Sequence, residues 1–277
     1  MSELEFLRYA VLGQYLPRDS LIHRLDPRVK ILAFLLIVLA VSWSNTIASN
    51  IVSAGAILFL IALSRVPLKQ ALQGIRPILP ILAFLAVLQI LLPPRSSGVC
   101  TPVVQWKSLA LTDCTIRLII VSTARLIELM VLTTLLTLTT TTNEVVYGVE
   151  GLLIPLQRIG IPAHEFALTV TIALRFIPTL ALQLERIVKA QMARGADFGI
   201  HGRWRFVKTT RRLQPLLVPL FLVGLRRSEY LALAMEARGY TGGKGRTRRV
   251  RLHARPADYA ALVASIVFCA TMLVANL

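Results

Sequence analysis

Apolar residues along this chain fall in long, nearly unbroken runs rather than at the spacing of a half-buried soluble helix. Runs at about 29–44, 46–64, 77–93, 115–140 and 257–276 read as membrane-spanning helices, because a bilayer core of about 30 Å takes about 20 helical residues. The first and third are short for that thickness and are expected to tilt or to recruit flanking residues. The uncharged stretch Ser42-Trp43-Ser44-Asn45 predicts a tight hairpin between the first two, with Trp43 at the interface.

The pattern changes between 141 and 255. Thr140-Thr141-Thr142-Asn143 offers N-caps to a helix from Glu144 to about Arg158, stopped by Gly160 and Pro162. A second helix is predicted from about Ala163 to Ala193, kinked by Pro178 and closed by Gly195. A third runs from about Arg205 or Pro215 to Ala237, with Gly239 ending it the same way. Arg175, Glu185, Arg186, Arg226, Arg227 and Glu229 interrupt these apolar helices. They are too charged to span and too apolar to be solvated alone, so they are expected at the membrane face, packed on one another and on a partner. The expected fold is therefore all-α and polytopic, with about five transmembrane helices. Its parts are residues 1–140 (the first four spans), 141–255 (a cytoplasmic bundle of amphipathic coupling helices) and 256–277 (the final span).

Composition sharpens this. The chain is 55% apolar with mean hydropathy +0.67, yet carries 31 Lys+Arg against 14 Asp+Glu. A net charge of +17 invites a nucleic-acid reading, which the 7% aromatic content and the absence of any binding signature oppose. The basic residues instead set orientation. Arg18, Arg24, Arg28 and Lys30 put the start of the first span inside, and Arg65, Lys69 and Arg76 put the second loop inside. Residues 93–114 face out, and 141–255 is cytoplasmic with 19 of the basic residues against 7 acidic ones. The run Arg246 to Arg255 beside the last span is explained by anionic lipid head groups. The first stretch, interrupted by Glu3, Glu5 and Arg8, has no signal-peptide core and is expected to be cytoplasmic.

Other candidate chemistry is sparse. Gly242-Gly243-Lys244-Gly245 resembles a phosphate loop, but Arg238 and Gly245 stand where a Gly and a hydroxyl are required. His164-Glu165 begins like a zinc-protease helix, but Leu168 replaces the second His. The four histidines are dispersed, so no metal site, cofactor or enzymatic activity is expected. Cys100, Cys114 and Cys269 are expected as free thiols, with a Cys100–Cys114 bridge the alternative. Arg117, Arg125 and Glu128 form a stripe on the fourth span, expected as a structural ion pair facing protein. A stand-alone carrier would use that stripe as its path, and a membrane-embedded enzyme would need a convergent site that the sequence lacks.

The most informative feature is a repeat. Ala193-Arg194-Gly195 recurs as Ala237-Arg238-Gly239, each closing a predicted helix. An Arg at a helix C-terminus meets the negative end of the dipole, and Gly beyond it permits positive φ. Two copies, both preceded by Ala, also expose two guanidiniums between small residues, suited to entering narrow grooves and binding carboxylates bidentately.

These residues also carry a family resemblance. His23-Arg24-Leu25-Asp26-Pro27-Arg28-Val29-Lys30, Leu174-Arg175-Phe176-Ile177-Pro178 with Ala190 to Gly195, and Ala234-Met235-Glu236-Ala237-Arg238-Gly239-Tyr240 occur in order over nearly the whole chain. Together they resemble the transmembrane T components of energy-coupling factor (ECF) transporters. The resemblance implies an ABC-type uptake complex of the cell membrane. Its other members would be two ATPase subunits and a membrane substrate-binding S component that sets the choice of vitamin, cobalt or nickel. It also implies that Arg194 and Arg238 dock in the ATPases, with Ala193, Gly195, Ala237 and Gly239 shaping the tips. Asp26 and Pro27 are expected as the N-cap and first residue of the first helix.

Overall fold

The computed structural model describes residues 16–91, 102–106, 109–160, 162–196, 206–242 and 254–275. They form helices α1 (Pro27–Trp43), α2 (Ile47–Ser64), the single turn α3 (Leu68–Ala71), a 3-10 segment (Leu72–Ile78) and α4 (Leu79–Leu91). There follow a two-stranded hairpin, β1 (Pro102–Trp106) and β2 (Leu109–Thr112), then α5 (Asp113–Thr139) and α6 (Thr142–Leu153). After a second 3-10 segment (Ile154–Ile159) come α7 (Ala163–Ala193), α8 (Phe206–Ala237) and α9 (Pro256–Ala275). The chain is an all-α polytopic membrane protein with this one small antiparallel hairpin, which the sequence pattern does not predict. The described residues form two compact units, one from 16–152 with 254–275 and one from 153–242.

In the first unit α1 begins where the sequence predicts. Asp26 accepts a hydrogen bond from the Arg28 amide at 3.0 Å, and Pro27 occupies the first turn, where a missing N–H costs nothing. The α1–α2 hairpin is closed by Thr46 and Ser49. Each hydroxyl accepts from the other's backbone N–H at 3.3 Å, satisfying two otherwise orphaned donors. Helix α9 packs along α1, α5 packs on both α1 and α2, and Val41, Ile57, Leu132 and Leu135 lie in the shared apolar core. At about 1.5 Å per residue, the 27 residues of α5 extend about 40 Å, ample for a bilayer.

Two buried charges tie this unit together. Asp258, 1% exposed, accepts from the Asp26 amide at 2.8 Å and the Arg255 amide at 2.6 Å, joining the starts of α1 and α9. Lys30, also buried, donates to the His23 carbonyl at 3.1 Å and the Thr139 carbonyl at 3.2 Å, capping the end of α5. Helix α6 starts two residues earlier than its pattern predicts. Thr141 Oγ1 accepts from the Glu144 amide while the Glu144 carboxylate accepts from the Thr141 amide. A Cβ on Gly148 would lie 2.7 Å from Ile31 and 3.1 Å from the Pro27 carbonyl, and one on Gly151 would overlap the Arg28 guanidinium. Glycine is therefore what lets α6 approach the base of α1.

The α5 stripe departs from expectation. Glu128 is buried and accepts from Ser53 Oγ at 2.5 Å. Arg125 donates to the Ser44 carbonyl and, at 2.9 Å, to Asn45 Oδ1, so it holds the α1–α2 turn instead of pairing with Glu128. Arg117 is exposed. Helical register put the three on one stripe, but neighbouring hydroxyls and carbonyls supplied better-placed partners than the expected ion pair. Cys114 is disulfide-bonded and Cys269 is a free thiol, so the expectation of three free thiols is corrected. Pairing depends on sulfur separation, which spacing along an irregular loop does not determine. Cys100 lies outside the described residues.

In the second unit α7 and α8 pack on each other, with the Arg227 guanidinium 5.2 Å from the centre of the Phe176 ring. Gly160, at φ 94°, ends the 3-10 segment before α7. Helix α7 continues as one element through Pro178, although that proline cannot donate to the Leu174 carbonyl. Helix α8 likewise runs through Pro215 and Pro219. Among the described residues four helices are long and apolar enough to cross a membrane: α2, α5, α9 and also α7. Helix α7 qualifies because Arg175 is the one charge between 166 and 184.

Candidate functional site: two arginine-ended helices

Helices α7 and α8 finish in the same way. At the end of α7, Gly195 N donates to Met192 O at 3.0 Å and Ala196 N donates to Gln191 O at 3.0 Å. At the end of α8, Gly239 N donates to Glu236 O at 2.8 Å and Tyr240 N to Met235 O at 3.0 Å. These paired bonds satisfy the last carbonyls of each helix and require the residue after the cap to turn left-handed. Gly195 and Gly239 supply that turn, at φ 87° and 71°. A Cβ on either would meet nothing within 4 Å. Conformation alone, not crowding, therefore calls for glycine at both places.

The consequence for the arginines is specific. Arg194 and Arg238 sit at the C-cap, the last position before the chain turns away. Their backbone amides stay bonded to the preceding turn, Arg194 N to Gln191 O at 3.1 Å and Arg238 N to Ala234 O and Met235 O at 3.2 Å. Ala193, Arg194, Gly195, Ala237, Arg238 and Gly239 are all exposed. Among the described residues neither guanidinium has a hydrogen-bond or ion-pair partner. Each tip thus presents five N–H donors in a planar fork, flanked by groups too small to shield it.

Behind the tips, the helices expose more apolar surface than they cover. On α7, Phe166, Ile177 and Leu182 are each about half exposed or more, and on α8 so are Phe221, Leu222, Tyr230 and Leu233. Of the described residues in this unit, only Ala163, Ala167 and Leu216 are buried hydrophobics. Continuous apolar exposure on this scale marks a surface made for lipid or protein. Nearer the α7 tip the face is charged, with Lys189 bonded to Glu185 at 2.5 Å one helical turn away.

The remaining sequence candidates form no centre. No group of three or more His, Cys, Asp or Glu capable of holding a metal occurs among the described residues. Of the phosphate-loop look-alike only Gly242 is described, at φ 98°; Lys244, Gly245 and the basic run from 246 to 251 lie outside. Lys30, read from sequence as an orientation charge and part of the entry motif, and Asp258, given no role there, are two of the buried charges of the first unit. The signal for Asp258 was legible: a carboxylate in the first turn after Pro256, where orphan N–H groups gather.

Residues 18–249 match the cobalt transport protein family, CbiQ. The chain is also similar to proteins named energy-coupling factor transporter transmembrane protein EcfT. That of Heliobacterium modesticaldum is 42% identical over 260 residues, covering 93% of this chain and 94% of the relative. That of Clostridium kluyveri is 40% identical over 263 residues, 95% of each. The Bacillus subtilis protein is 39% identical over 263 residues, 95% of this chain and 96% of its own length.

Proposed function

The chain belongs to the CbiQ family of cobalt transport proteins, and from that membership we propose how it works as the transmembrane component of an energy-coupling factor uptake transporter. Helices α7 and α8 are its coupling helices. Arg194 and Arg238 dock into one groove on each of two ABC-type ATPase subunits. The exposed apolar faces behind the tips grip a membrane S component, which carries the substrate, a vitamin or a transition-metal ion. Closure of the ATPase pair on ATP displaces the grooves, the tips follow, and the S component is reoriented to release its substrate inside.

The observation that carries this reading is the matched pair of tips. Two helices end in the same hydrogen-bond pattern, and each presents a guanidinium that has no partner among the described residues. A matched pair suits two copies of one socket. Topology supports a cytoplasmic location. With α1, α2, α4, α5 and α9 as spans, both tips lie on the same side as the basic loops. Were α7 also a span, both tips and the basic run before α9 would lie outside, against the positive-inside tendency and away from any source of ATP.

The test is charge reversal. Arg194→Glu and Arg238→Glu should each weaken co-purification of the ATPase subunits and slow substrate uptake in a reconstituted complex. A charge-assisted contact contributes about 1.5–3 kcal/mol, or about 10- to 150-fold in affinity. The double variant should lose more than either single one, because two linked contacts raise each other's effective concentration. Wild-type binding and uptake by both single variants would end the docking assignment.

A further inference from the structure

The first unit contains a cavity of about 340 Å³ bounded by residues of α1, α2, α5 and α9. It is roughly twice the ~150 Å³ of an apolar cavity that stays dry and takes benzene. Three polar residues join its otherwise apolar wall, and the protein already occupies all three. Thr139 Oγ1 donates to Leu135 O at 2.8 Å, Ser265 Oγ donates to Leu262 O at 2.8 Å, and Lys30 bonds the His23 and Thr139 carbonyls. Water needs two to four polar partners to be held, and the wall offers almost none. An empty apolar void destabilises the helices around it. The guest that fits is a hydrocarbon.

Access and charge narrow the choice further. Helices α2 and α9 both line the cavity but share no substantial packing interface, and Phe59, one of the lining residues, is 66% exposed. The cavity therefore opens sideways between two helices long and apolar enough to span the bilayer. At its Ile22–Leu25 end stand two exposed arginines. Arg24 lies between those lining residues in sequence, and Arg255 is tied through Asp258 to Asp26. Arg24 has one weak partner, Asp19 at 3.4 Å, and both of those side chains are largely solvent-exposed. Lys30 is buried, and its ammonium is already held by the His23 and Thr139 carbonyls. The two surface arginines, not Lys30, are left to meet an anion. We propose that this cavity holds one acyl chain of an anionic membrane phospholipid, its phosphate at Arg24 and Arg255. The lipid would fill the gap between α2 and α9 as a structural part of the protein.

The experiment uses the full chain with its partner subunits in nanodiscs. The probe is phosphatidylglycerol bearing a photoreactive diazirine midway along one acyl chain, and labelled peptides are mapped with and without excess plain lipid. Saturable labelling of the segments 56–63 and 261–268 is expected, falling several-fold in Ala264→Trp, which fills the cavity. Ala264→Leu serves in the same way should the larger side chain prevent assembly. The Arg24→Ala/Arg255→Ala double variant should retain labelling but lose the preference for phosphatidylglycerol over phosphatidylcholine. Labelling spread evenly over all spanning helices, or unchanged in the filled variants, would overturn the acyl-chain site. Equal labelling by the two lipids in the unaltered protein would overturn the anionic head-group assignment.

Discussion

Replacing Gly195 or Gly239 separates the shape of a coupling tip from its charge. A Cβ added at either position meets nothing within 4 Å, so packing contributes no penalty. What remains is the backbone, at φ 87° and 71°, where an L-residue with a Cβ costs about 1–2 kcal/mol. If the bound tip must keep this conformation, Gly195→Ala should weaken ATPase binding about 5- to 30-fold, at about 1.4 kcal/mol per factor of ten. The two alanine changes together should approach the product of the single effects. Asn tolerates the left-handed region far better than a β-branched residue, so the predicted order of affinity at either site is Gly, Asn, Ala, Val. The assay is titration of purified ATPase pair onto the protein in nanodiscs, with thermal unfolding as a control for the fold. The order also distinguishes two causes. If bulk in the groove governed docking, Asn would bind worse than the smaller Ala, and that reversal would refute the conformational argument. So would wild-type affinity in the double alanine variant.

Other parts of the molecule make equally definite predictions. Asp258→Ala strands two amides in a site 1% exposed, so unfolding in detergent should be easier by about 2–6 kcal/mol, at about 1–3 kcal/mol per unsatisfied buried group. Gly151→Leu should separate α6 from α1, because even a Cβ there overlaps Arg28; hydrogen exchange in α6 should then rise while α5 and α9 remain protected. His23 reports on pH. Its Nε2 donates to the Leu16 carbonyl at 3.1 Å and its Nδ1 accepts from Ser20 at 2.6 Å. Burial holds its pKa below the ordinary 6.5. The folded state therefore binds fewer protons than the unfolded one, so the contribution of His23 to stability is whole above pH 6.5 and declines as pH falls through that value toward the folded pKa. His23→Gln should flatten the stability profile across that window, and an unchanged slope would assign it to other groups.

Much of this protein follows from local rules that depend on the covalent chain alone. Apolar runs of near-bilayer length, a proline placed one residue after an aspartate, and glycines just past Arg194 and Arg238 each act within a turn or two of helix. The start of α1, the span of α5 and the twin ends of α7 and α8 were legible for that reason. The family resemblance came from the same local motifs, read in order. Periodicity could not choose partners among groups far apart in sequence. It put Arg125 and Glu128 on one stripe, but the nearest acceptors for Arg125 came from the α1–α2 turn and the donor for Glu128 came from Ser53 of α2. Asp258 shows the same limit, because the amide of Asp26, from the opposite end of the chain, becomes its partner only when α9 lies along α1. Hydrogen bonds of side chains at membrane depth are settled by whichever donor or acceptor folding brings within 3 Å. That distance is a property of the assembled helices, and no stretch of sequence contains it.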